Sequence, residues 1–222
     1  MNQLDEYLHA YFPGLNLKPS LYQQWPIGLH FELGKGLYQF NEGTDELNME
    51  RFYCVYSQAT SMFNEIFSDE DEVFLVTNMY KHKTHHSNQR MKVFHRNLRN
   101  KDLKFQLKHK ILPYTFDEEE NSDEYYTARY SLKCHRRNLK FQQLIRGACH
   151  EDFPLKPKFG GDYTHYPDVF FINISKNIIF YIYDDRGCEV IASDLETIRP
   201  LYEKYRGWIP EYDQEKVIAC FT

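Results

Sequence analysis

The sequence predicts an α+β protein with a mainly antiparallel sheet and helices covering one face. Three observations predict it. Residues 169–174, 178–183 and 188–192 are strongly β-prone and separated by only three and four residues. Parallel neighbours need a crossover of about a dozen residues, so these runs form an antiparallel meander. Residues 48–67 carry Phe52, Val55, Tyr56, Ala59, Met62, Phe63 and Ile66 at helical spacing behind the capping residue Asn48. Aromatic residues make up 17% of the chain, enough to fill a core with few side chains and to exclude disorder. A mixed sheet and an open α/β sheet with an antiparallel edge remain as alternatives.

The remaining elements follow in order. Leu4, Tyr7, Leu8 and Tyr11 predict a helix ended by Pro13-Gly14. Alternation of Ile27, Leu29, Phe31 and Leu33 predicts a half-buried strand, and Gly34 and Gly36 turn it into a second strand at 37–40. A strand is predicted at 73–80, a polar His-rich loop at 81–89 and a returning strand at 91–95. A helix over about 101–110 and an exposed acidic loop at 117–124 follow. The second half begins with a strand at 125–134 and a helix at 139–149, then a long Pro- and Gly-bearing loop at 151–167. Asp194 caps a last helix to about Tyr205, with Pro200 as a point of kinking.

The chain reads as one domain, 1–222, with two halves that echo each other at about 27–110 and 125–205. Residues 73–76 and 169–172 match best. No stretch approaches the roughly 20 apolar residues that span a bilayer. The first residues lack the basic and apolar regions of a secretory signal, and five scattered cysteines without a Cys-x-x-Cys pair suit a reducing compartment. A cytoplasmic protein without membrane partners is expected.

A net charge of −5 hides segregated blocks. Residues 81–110 hold ten Lys/Arg against Asp102 alone, and residues 125–150 hold six bases and no acid. The bland expectation is mutual attraction with the acidic blocks in the folded chain. The sharper one is nucleic-acid contact through Lys92, Arg96, Arg99 and Lys101, with phenylalanines as stacking platforms.

Asp184-Asp185-Arg186-Gly187 is the most legible candidate site. Turn chemistry accounts for an aspartate that bonds the backbone ahead and for a glycine at positive φ. It leaves Arg186 unexplained, and two carboxylates beside a guanidinium suit a ligand. His82, His85, His86 and His95 lack the spacing of a closed metal site and read as a solvated hairpin tip. Phe159-Gly160-Gly161-Asp162 precedes a strand rather than opening a helix, the reverse of a phosphate-cradling loop. No hydrolase, metalloprotease or Walker pattern occurs, so neither a cofactor nor a catalytic residue is expected.

Residues 166–171, the segment 183–192 around the DDRG turn, Leu201-Tyr202, and the N-terminal Tyr11-Phe12-Pro13-Gly14-Leu15 and Trp25-Pro26-Ile27-Gly28 together resemble an uncharacterised bacterial family of unknown function. The resemblance covers most of the chain and brings a Rossmann-like label. That label implies a Gly-x-Gly-x-x-Gly turn and βαβ crossovers, and this sequence has neither. The family brings no activity and no catalytic residues. The meander ending in the turn also resembles the C-terminal layout of several bacterial immunity proteins. The leading expectation is therefore a non-enzymatic protein-binding module, in the manner of an immunity protein or antitoxin. A nucleic-acid-associated protein and an enzyme with its site at the DDRG turn are the alternatives.

Overall fold

Asn2 caps the first helix by accepting the Asp5 amide at 2.9 Å, and Leu4, Tyr7 and Leu8 give that helix one buried face. The computed structural model describes residues 2–84, 92–116, 122–160 and 166–221. The first half comprises α1 (Gln3–Tyr11), α2 (Leu21–Gln24), β1 (Gly28–Glu32), α3 (Met49–Ile66), β2 (Glu72–His82), α4 (Lys92–Asn97) and β3 (Lys108–Pro113). The second comprises β4 (Tyr125–His135), α5 (Phe141–Cys149), β5 (Asp168–Asn173), β6 (Ile178–Ile182), β7 (Gly187–Ala192), α6 (Leu195–Tyr205) and α7 (Gln214–Phe221).

Among the described residues seven strands form one sheet in the order β1-β7-β6-β5-β2-β4-β3. Every pairing in it is antiparallel, which bears out the α+β class and the meander. With no parallel pair there is no βαβ crossover, so the Rossmann-like label does not describe this sheet. β2 and β5, the best-matched segments of the two halves, are direct neighbours.

The larger helices cover one face. α3 caps on Asn48 as predicted and buries Phe52, Val55, Ala59, Met62, Phe63 and Ile66. Phe63 stacks on Phe141 of α5 at 4.6 Å and meets Phe171 of β5 edge-on at 5.1 Å. α6 and α7 add Ile198, Leu201, Val217 and Phe221 to the same core, and Pro200 lies within α6 without ending it. A second, smaller layer occupies the other face, where α1, α2 and their connection cover Phe74, Val76, Phe170, Ile172, Ile179 and Ile191. Helices thus flank both faces rather than the single face predicted, because β2, β5 and β6 are apolar on both.

Three predicted elements differ, and one element was not predicted. Residues 37–40 make only an isolated bridge, Phe40 to Leu47, not a strand. Residues 91–95 do not return as a strand. Both edges of β2 are taken by β4 and β5, and α4 buries Val93, Phe94 and Asn97 instead. The helix predicted at 101–110 is a 3-10 turn, Lys101–Gln106, followed by edge strand β3, whose Pro113 an edge position tolerates. α7 carried no signal that the sequence reading used. Residues 85–91 and 117–121, within the His-rich and acidic loops, lie outside the described residues. No helix among the described residues is long and apolar enough to cross a membrane.

Candidate functional site: a carboxylate–tyrosine cleft at the sheet end

The turn between β6 and β7 sits at one end of the sheet and is packed rather than splayed into solvent. Asp184 Oδ1 accepts the Arg186 amide at 2.7 Å, the Asx turn that the sequence predicts, and its Oδ2 accepts Arg186 Nε at 2.8 Å. Asp185 points the other way and is 1% exposed. Its Oδ2 accepts Arg51 Nε at 2.8 Å, while Arg51 Nη1 reaches the carbonyls of Gly34 (2.8 Å) and Leu37 (2.6 Å). A buried arginine from α3 therefore ties the turn to the loop after β1. Gly34 takes φ +64° there, and a Cβ would stand 2.7 Å from Arg51 Nη1.

Gly187 has a different role from the predicted one. It is absent from the positive-φ residues; instead a Cβ would meet the Phe31 carbonyl at 2.6 Å and the Tyr183 hydroxyl. Only glycine lets Tyr183 fold back over β7 while β1 pairs beside it.

Two hollows flank Arg186. One, about 480 Å³, is lined by Glu151, Asp152, Asp168 and Asp184 with Tyr80, Tyr166, Tyr181 and Tyr183. The other, about 530 Å³, includes His30, Lys35, Tyr212 and again Tyr183 and Arg186. Of the predicted turn residues, Asp184 and Arg186 reach the acidic hollow, whereas Asp185 is sequestered beneath Arg51. The three side chains do not converge on one pocket. Lys92, Arg96, Arg99 and Lys101 line neither hollow and are exposed on α4 and the turn after it.

Hydrogen bonding gives the acidic hollow one polarity. Tyr80 donates to Asp168 Oδ2, and Tyr181 donates to Oδ1 at 2.8 Å. Tyr166 donates to the Gly147 carbonyl at 2.7 Å. Asp213 Oδ2 faces His30 Nδ1 at 2.7 Å, and His30 Nε2 lies 3.0 Å from the Tyr183 hydroxyl. In the tautomer that donates from Nδ1 to Asp213, Nε2 accepts from Tyr183. Each of these tyrosines thus directs its proton into the protein, and Tyr181 and Tyr183 keep oxygen lone pairs for the cleft.

Glu151 and Asp168 are both pushed above the ordinary carboxylate range. Burial, reinforced by Asp168, Asp152 and Asp184, pushes Glu151 up to about 7. Burial pushes Asp168 up to about 6, although the hydrogen bonds from Tyr80 and Tyr181 and the charge of Arg129 pull it down. Arg129 does not line the hollow; it is buried behind it, donating to Asn78 Oδ1 at 2.9 Å and the Leu17 carbonyl at 2.7 Å.

These shifts fix a pH dependence. Glu151 keeps its proton in the folded chain to a higher pH than in the unfolded one, so the stability present below its unfolded value is lost as pH rises through about 7. Glu151→Gln is expected to stabilise the protein by about 1–2 kcal/mol at about pH 8, after solvent screening, and to leave it unchanged near pH 4. Urea midpoints at the two pH values check this.

Among the described residues no group of three or more His, Cys, Asp or Glu side chains could hold a metal ion. His82 instead faces Glu124 at 3.0 Å, His95 lies on α4, and His85 and His86 fall outside the described residues. The five cysteines are free, with Cys134, Cys149 and Cys188 buried. Burial alone pushes the Cys134 thiol up to about 12.

Sequence reading missed Glu151, Asp152, Asp168 and the four tyrosines. For Glu151, Asp152 and Tyr166 the available signal was the long loop at 151–167, since loops above about 12–15 residues inside a compact domain are usually functional; Tyr80, Asp168 and Tyr181 lie on strands and Tyr183 beside one, with no such signal.

Residues 4–213 match a family model described as "Domain of unknown function (DUF3885)". The chain is 49% identical over 207 residues to the uncharacterized protein YnaE of Bacillus subtilis (strain 168), covering 93% of this chain and 96% of that protein. No solved structure matches the chain.

Proposed function

We propose that this chain, which belongs to the DUF3885 family, is a non-enzymatic protein-binding module that takes a basic segment of its partner into the carboxylate–tyrosine cleft. The polarity of the lining carries the reading. Four carboxyl groups and the Tyr181 and Tyr183 oxygens face one hollow as acceptors, with Arg186 as its lining cation, and Arg186 is already clamped by Asp184. A guanidinium or ammonium group supplies the donors that such a lining lacks. It also favours ionisation of Glu151 and Asp168, so binding strengthens as pH rises.

The finer reading is a cytoplasmic immunity protein or antitoxin that neutralises a basic toxin. Free, buried thiols suit a reducing compartment, and acidic blocks at both ends of the chain steer association with a basic protein. A tagged chain expressed in its native host is expected to co-purify with a stoichiometric protein partner, encoded next to it under the immunity reading. The Glu151→Gln/Asp168→Asn double variant, checked for folding by circular dichroism, is expected to lose that partner. Recovery of no stoichiometric protein, or equal recovery by the double variant, counts against the proposal.

A further inference from the structure

Most cations of this chain that pack against an acidic block are neutralised there. Arg51 pairs with Asp185, Arg136 with Asp69, Arg137 with Glu70 and Lys110 with Asp5. The basic sequence blocks are treated differently where they meet. An isolated antiparallel bridge, Leu98 to Leu139, joins the segment after α4 to the segment before α5. There the Arg99 amide donates to the Asn138 carbonyl at 2.8 Å, and the Lys140 amide to the Asn97 carbonyl at 2.8 Å. Two basic stretches about 40 residues apart in sequence are thereby placed side by side, where Coulomb repulsion alone would separate them.

Lys92, Arg96, Arg99, Lys101, Lys104 and Lys140 are all exposed, and among the described residues none of them forms an ion pair. Lys101 Nζ donates to the His95 carbonyl at 2.7 Å, which holds the turn against α4. Next to it Phe105 is 78% exposed, with Lys104 Nζ 4.8 Å from its ring centroid. A bare aromatic ring among unpaired cations has no packing role in this fold.

We propose that this ridge binds single-stranded nucleic acid, the cations tracking phosphates and Phe105 stacking on a base. Phosphates supply the missing counter-charges, and an aromatic face accepts any base. An acidic protein segment fits less well, because it supplies counter-charges but no base for the exposed Phe105 ring to stack on. The net negative charge of the chain does not prevent it, since screening confines each field to about 10 Å at 0.1 M salt. This site is separate from the cleft and does not depend on it.

Fluorescence anisotropy of labelled single-stranded RNA and DNA of about 20 nucleotides tests the proposal with the full chain. Four phosphate contacts predict roughly 50-fold weaker binding at about 200 mM than at about 50 mM salt. Arg96→Glu/Arg99→Glu is expected to abolish binding, and Phe105→Ala to weaken it roughly 5- to 100-fold at both salt concentrations. Glu151→Gln/Asp168→Asn is expected to leave it unchanged, which separates this site from the cleft. Binding of RNA and DNA alike identifies the phosphodiester chain as the ligand, and a preference for one identifies the sugar as part of it. No binding at low salt, equal binding of poly-glutamate, or binding retained by the folded charge-reversal variant overturns the proposal.

Discussion

Arg51→Ala is expected to destabilise the protein by about 3–5 kcal/mol, the largest effect of any single substitution at the sheet end. The substitution strands Asp185, 1% exposed, as a buried unpaired charge, and leaves the Gly34 and Leu37 carbonyls without their Nη1 donor. Lysine is no substitute, because Nε, Nη1 and Nη2 of one planar group reach Asp185 Oδ2, two loop carbonyls and the Asp185 carbonyl together. Urea unfolding of Arg51→Ala, Asp185→Ala and the double variant measures the coupling. The double variant is expected to cost less than the sum of the singles by about 1 kcal/mol or more, since removing both partners leaves no orphaned charge. A cost below about 1 kcal/mol for Arg51→Ala contradicts a turn pinned by this bridge.

Gly187→Ala is expected to cost about 1–3 kcal/mol or more and to weaken partner binding at the cleft as well. An added Cβ meets the Phe31 carbonyl at 2.6 Å, so β1 must move away from β7, and it meets the Tyr183 ring, so the phenol must leave His30. Asparagine separates this cause from the positive-φ alternative. Were a left-handed backbone the requirement, Asn would be the milder replacement; under a steric requirement it is at least as damaging as Ala. Tyr183→Ala is expected to rescue Gly187→Ala only in part, because the Phe31 carbonyl remains in place. Full tolerance of Asn at 187 contradicts this assignment.

The elements legible from sequence are those whose residues decide locally. α3 shows its cap and stripe in one window, and the meander follows from connections too short for any other topology. α4 and β3 are not local decisions. Met91, Val93 and His95 alternate like a strand, yet β2 has no free edge to pair with them. Lys108–Pro113 shows no apolar alternation and becomes a strand because β4 offers an edge. At the candidate site the turn itself was readable, including the Asp184 contact to the Arg186 amide. The partner of Asp185, however, lies 134 residues earlier in the chain, and no local pattern announces it. Arg186, the residue that turn chemistry left unexplained, is the one residue of the DDRG turn whose side chain borders both hollows. Gly187 illustrates the converse, a residue type foreseen correctly for a reason that the packing replaces.

Co-purification at two pH values shows whether the cleft carboxylates hold the partner. Near pH 8 Glu151 and Asp168 are ionised, and near pH 5.5 burial keeps both largely protonated, as their values of about 7 and about 6 require. A stoichiometric basic partner is expected at pH 8, several-fold less of it at pH 5.5, and none at either pH with Glu151→Gln/Asp168→Asn. Equal recovery at both pH values together with retention by the folded double variant would contradict a partner held by those carboxylates.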